Sequence, residues 1–121
     1  DGDTWDKDKA NSWIRAGLVE LPAKNHLDAI SEEMAKVDHD LLAGCVQHQA
    51  KKVLLETACS IETPTLLIRG SEDTAVGPTD IHALKARLQN VETITIEGVG
   101  QEPALEAPDE LRVELSRFFN L

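Results

Sequence analysis

The chain is short of basic residues: 12 lysines and arginines stand against 22 aspartates and glutamates, for a formal net charge of −10. No basic stripe is available to neutralise phosphates, which argues against nucleic-acid binding and against adsorption to an anionic membrane. The bland meaning of the acidity is solubility. Cysteine is scarce too. Cys45 and Cys59 lack metal-ligand spacing, and two buried, reduced thiols of a cytoplasmic protein are the expectation. Aromatic residues are few, with two Trp, two Phe and no Tyr, and no cofactor role is assigned to Trp5, Trp13 or the single Met34. No apolar run is long enough to span a membrane, and the polar, acidic start at Asp1 does not read as a signal peptide. An initiator methionine is missing, which leaves open a fragment, a processed product or one chain of a nicked protein.

What is present is ordinary for a soluble globular protein: 121 residues, 41% apolar and 28% charged, enough for one domain with a modest core. Two regions differ in texture, with a division expected near residue 60. Residues 1–60 read as helical. Trp13, Gly17, Leu18 and Leu21 share a helical face before Pro22. Leu27, Ile30, Met34, Val37 and Leu41 recur at alternating steps of three and four, the pattern of a helix with one buried stripe. Asn25 is the expected N-cap of that helix, with Asp28 favouring its first turn. A further helix is expected from Asp40 to about Ala58, its inner face made by Leu42, Cys45, Val46 and Val53; the "VDHD" cluster at 37–40 suits a helix start.

Residues 61–121 alternate strand and helix. The apolar run in "TPTLLIRG" (63–70) suits a buried strand over 65–69. Pro78 fits a first helical position, and Ile81, Leu84 and Leu88 form the stripe that follows. The β-branched "VETITIEG" (91–98) favours a second strand. Pro108 starts a last helix, with Leu111, Leu115, Phe118 and Phe119 on one face. Strands separated by such a helix are parallel and joined by a right-handed crossover. The fold class is therefore α/β, and two parallel strands alone are a poor sheet whose edges call for partners.

Residues 61–121 resemble the C-terminal part of the α/β-hydrolase superfamily. "IETPTLLIRGSED" resembles its penultimate strand, with proline, an apolar run, glycine and, three positions later, an aspartate that is Asp73 here. "ITIEGVGQEPALEAP" resembles the last strand and the loop of the catalytic histidine, and "DELRVELSRFFNL" the closing helix. Residues 1–60 loosely resemble the helical cap that many members insert before this point. The resemblance implies that Asp73 is the triad acid, a buried carboxylate that fixes an imidazole tautomer and stabilises its charge. The other meaning of Asp73 is a turn residue after a strand. It also implies a loop-tying role for Glu106, no metal or organic cofactor, and a small-molecule substrate such as an ester, a lactone or a carbon–carbon bond.

Two departures matter most. Gln101 stands where the resemblance puts histidine, and glutamine cannot shuttle a proton near neutral pH. No Gly-x-Ser-x-Gly elbow, nor its Asp or Cys equivalent, occurs anywhere, and Ser12, Ser31, Ser60, Ser71 and Ser116 all lack that context. A smaller departure is Gly77, inserted between Val76 and Pro78. The nucleophile and oxyanion hole would come from a missing N-terminal portion or a partner chain, or the sheet edge would be covered by homodimerisation, and the chain alone is expected to be inactive. A non-catalytic binding or assembly module on the same scaffold is the rival expectation. His26, His39, His48 and His82 are scattered and read as surface or cap histidines; Glu102 reads as an exposed loop acid. Trp13, Leu18 and Met34 are candidates for a pocket lining, with core packing the stronger expectation.

Overall fold

The computed structural model describes residues 5–47 and 51–121. Four helices come first: α1 (Lys7–Ala16), α2 (Lys24–Met34), α3 (His39–Gln47) and α4 (Lys51–Ala58). Then follow β1 (Thr65–Gly70), α5 (Pro78–Lys85), β2 (Val91–Ile96), α6 (Pro103–Glu106) and α7 (Pro108–Phe119).

The helix α1 starts where the Asp6 side chain accepts the Lys9 N–H at 2.9 Å, satisfying one orphan donor of the first turn. It ends at Gly17, whose N–H bonds back to Ile14. Its buried residues are Ala10 and Ile14, and those of its neighbour α2 are Leu27 and Ser31. The small side chains Ala10 and Ser31 let the two backbones approach. Buried Ser31 is fully engaged: its hydroxyl donates to the Leu27 carbonyl (2.7 Å) and accepts from Asn11 (3.0 Å).

Several expectations for this region need correction. Trp13 is 52% exposed and Leu21 51%, so the buried face of α1 is not the one that runs through them. The helix ends before Leu18 and Leu21, which therefore cannot extend its stripe. The stripe from Leu27 to Leu41 is not one helix either. α2 stops at Met34, and the Asp38 carboxylate then caps α3 by accepting the Leu41 N–H at 2.9 Å. Leu41 is left 63% exposed. The N-cap of α2 is Ala23, with no side-chain cap, and Asn25 lies inside the helix. Cys45 and Cys59 are free and exposed rather than buried. The side chains of Leu42, Val46 and Val53, expected to face inward, and all of His48 lie outside the described residues.

The second region follows its expected order. β1 and β2 form a two-stranded parallel sheet, in register from Thr65 opposite Val91 to Gly70 opposite Ile96. Pro78 opens α5, and the Asp80 carboxylate accepts the Gly77 N–H (3.0 Å), half of a capping box. Gly77, the extra residue of the sequence, thus serves as the N-cap of α5. Pro108 opens α7 as expected. The apolar cluster joins Ile96, Val99 and Ala107 to Ile68, Ile94 and Leu111, so it draws on both strands, the loop after β2 and the last helix.

Candidate functional site

Both loops of interest leave the carboxyl ends of the two adjacent strands, where open α/β sheets place their ligands. They are stitched to each other beyond the last ladder residues. Ser71 N–H donates to the Ile96 carbonyl and Glu72 N–H to the Val99 carbonyl, each at 2.9 Å. The Ser71 hydroxyl accepts the Gly98 N–H at 2.9 Å. This close approach explains Gly70. A Cβ there would lie 2.1 Å from the Val99 carbonyl oxygen and 2.2 Å from that of Gly100. Gly98 makes the turn after β2 with φ of +73°, a conformation natural to glycine.

Asp73 lies on the first loop, half-buried. Its Oδ1 accepts the N–H groups of Ala75 (2.8 Å) and Val76 (3.0 Å), an arrangement that shapes its own turn. Gln101 lies on the second loop and is exposed. Its backbone N–H donates to the Gly17 carbonyl at 2.8 Å. Its side chain lies against Gly17, where an added Cβ would meet Oε1 at 3.0 Å. Among the described residues no hydrogen bond joins the Asp73 carboxylate to the Gln101 side chain.

Two residues organise these loops. Arg69, at the end of β1 and 9% exposed, was not singled out by sequence. Its guanidinium donates to the carbonyls of Val76 (2.6 Å), Asp73 (3.1 Å) and Ser71 (3.2 Å). A buried cation is thereby satisfied by backbone oxygens, and the loop is wrapped around it. The signal for it was available: one arginine at the end of an apolar strand, with no exposed side to reach.

Glu106 does what was expected of it and more. It accepts the Gly100 N–H with both oxygens (3.0 and 3.1 Å) and the Glu102 N–H with Oε2 (3.1 Å), fixing the backbone on either side of residue 101. Its Oε1 also accepts the N–H groups of Val19 (2.6 Å) and Glu20 (3.1 Å), from the segment between α1 and α2. Burial works to raise the pKa of this carboxyl. The backbone donors of Gly100, Val19, Glu20 and Glu102 outweigh it and hold the group below its ordinary value.

No family profile matches the chain, nor does any curated protein. Solved structures do match in shape. A bacterial membrane phospholipase A, described as a virulence factor, superimposes with a TM-score of 0.77 at 20% identity, over 97% of this chain and 39% of that one. CarC, a serine hydrolase involved in carbazole degradation, gives 0.74 at 13% identity, over 96% of this chain and 48% of that one. MGS-M2, an α/β-hydrolase enzyme from a deep-sea metagenome library, gives 0.63 at 23% identity, over 92% and 38%. The fold is that of the C-terminal part of the α/β-hydrolase fold. This chain spans less than half the length of each of these proteins.

Within that α/β-hydrolase frame the remaining candidates are quickly placed. His26, His39 and His82 are exposed, as is Glu102. Among the described residues no group of three His, Cys, Asp or Glu side chains could hold a metal ion, and no helix is long and apolar enough to cross a membrane. Met34 lines an open apolar hollow of about 450 Å³ with Ala29, Ile30, Glu33 and Val37. Neither Trp13 nor Leu18 lines it, and none of its residues comes from the two stitched loops.

Proposed function

We propose that the chain is the C-terminal part of a hydrolase for a small organic substrate bearing an ester, a lactone or a scissile carbon–carbon bond. Asp73 serves as the triad acid, and Gln101 occupies the place of the proton-carrying imidazole. Residues 1–60 act as the helical cap. The observation that carries this reading is the pair of stitched loops at the carboxyl ends of adjacent parallel strands. The hydrolases of similar shape support the reaction class.

The chemistry divides into what these residues supply and what they do not. A carboxylate behind residue 101 would orient an imidazole there and stabilise its positive charge. Glutamine offers a hydrogen-bond donor and an acceptor at that place but no titratable group, so proton transfer stops. The nucleophile and the oxyanion hole come from an N-terminal portion or a partner chain that also covers an open sheet edge; a homodimer is another way to cover that edge but supplies no nucleophile. The two exposed, unbonded thiols accord with a reducing, cytoplasmic setting.

The test is Gln101→His in a protein that carries an upstream nucleophile segment, assayed by p-nitrophenyl ester cleavage. Restoring the proton carrier should raise turnover about 10²- to 10⁴-fold over the Gln form. No gain across several esters and lactones would overturn the mechanism.

A further inference from the structure

Val19 and Glu20, between α1 and α2, lie 87 and 86 residues from Glu106 along the chain, yet its carboxylate receives hydrogen bonds from them and from the loop after β2. Oε1 of Glu106 takes Val19, Glu20 and Gly100; Oε2 takes Gly100 and Glu102. A second strut runs the other way, from the Gln101 N–H to the Gly17 carbonyl. The loop is tightly seated between the two: a Cβ on Gly100 would lie 2.4 Å from the Gly17 oxygen and 3.2 Å from Glu106 Oε2.

We propose that Glu106 is a positioning residue that latches the α1–α2 elbow (residues 17–20) to the loop carrying residue 101, so that both segments are placed, and released, together. Four backbone N–H groups converge on one charge, and charge-assisted bonds of this kind are roughly twice as strong as neutral ones. Remove the carboxylate and four donors on two segments lose their acceptor at once. The latch operates whatever chemistry residue 101 serves.

The latch also responds to protons. The groups that hold Glu106 ionised are the backbone N–H groups of Gly100, Val19, Glu20 and Glu102; the acidic neighbours Glu20, Glu102, Asp109 and Glu110 are themselves exposed. Its folded pKa lies below the ordinary 4.5, so the stabilisation is present above that value. It is lost as pH falls through the lower, folded one.

Amide hydrogen exchange on the chain, read residue by residue, tests this. Glu106→Ala should speed exchange at Val19, Glu20, Gly100, Gln101 and Glu102 together, by about tenfold or more, while the β1–β2 ladder stays protected. Acetate at high concentration should slow those amides again in Glu106→Ala and leave the unaltered chain unchanged. Acceleration confined to Gly100 and Glu102, with Val19 and Glu20 unmoved, would overturn the coupling. Should Glu106→Ala not fold, the unaltered chain decides under acid titration. The amide signals of Val19 and Gly100 should shift with one shared midpoint below 4.5. Two separate midpoints, or no titration at Val19, would overturn the proposal.

Discussion

Leu27 in the helical half is 1% exposed, yet Leu41 a few turns on is 63% exposed and Trp13 is 52% exposed. In the strand-bearing half, Ile96 and Val99 are 8% and 4% exposed, and both belong to a cluster that runs from the sheet to α7. In the helical half the described burial centres on the α1–α2 contact of Ala10, Ile14, Leu27 and Ser31, with apolar residues such as Trp13 and Leu41 left outside. The strand half is held by backbone contacts that tolerate no added atom, above all where Gly70 meets the Val99 and Gly100 carbonyls. Outward apolar residues are not confined to the first half, since Val113 and Phe119 of α7 are also exposed. The difference lies in how the site-bearing loops are fixed. In the strand half the loops are fixed by backbone hydrogen bonds, the Arg69 guanidinium and the Glu106 carboxylate, and the helical half is tied to them through that same carboxylate.

Substitutions can break or sharpen that contrast. Gly70→Ala should be the most damaging, because its methyl would collide with backbone that cannot step aside; a loss of about 3 kcal/mol or more is expected from urea denaturation. A near-neutral result would mean that the two loops are not stitched as described. Leu27→Ala should cost about 2–4 kcal/mol by opening a cavity between α1 and α2. Its exchange signature should appear first in the helices, with the β1–β2 amides still protected. Equal loss of protection in both halves would show one cooperative unit in place of two. Gly44→Ala, in α3, adds a methyl that meets nothing within 4 Å among the described residues, and should stabilise by about 0.5–1 kcal/mol through helix propensity. Destabilisation there would reveal packing on a face that reads as open.

The strand half was legible because its signals are local. β-branched residues mark β2, a short apolar run ending in glycine marks β1, and Pro78 and Pro108 mark helix starts. The resemblance of "IETPTLLIRGSED" and "ITIEGVGQEPALEAP" puts Asp73 and Gln101 on loops after the strands, and Glu106 closes the short helix α6. The helical half was read less well because periodicity counts size as burial. Trp13 shares an apolar face by spacing yet is exposed, whereas Ala10, one turn earlier, is wholly buried because a small side chain permits close approach. The stripe from Leu27 to Leu41 keeps its period across the non-helical residues 35–38, where the "VDHD" cluster and the Asp38 cap mark a new helix start. Short α6 carried no pattern long enough to detect. The bonds from Val19 and Glu20 to Glu106 had no sequence signal at all, since local pattern does not specify a pairing across so long a stretch of chain.

The pairing of Asp73 with residue 101 is tested most directly by a probe that feels the carboxylate. Gln101→His introduces an imidazole whose pKa can be followed by NMR titration against the ordinary value of about 6.5. A carboxylate within about 4–6 Å favours the charged imidazolium and raises that pKa. The account predicts a raised value that falls back when Asp73→Asn is added. An imidazole whose titration is the same with and without the Asp73 carboxylate would contradict it.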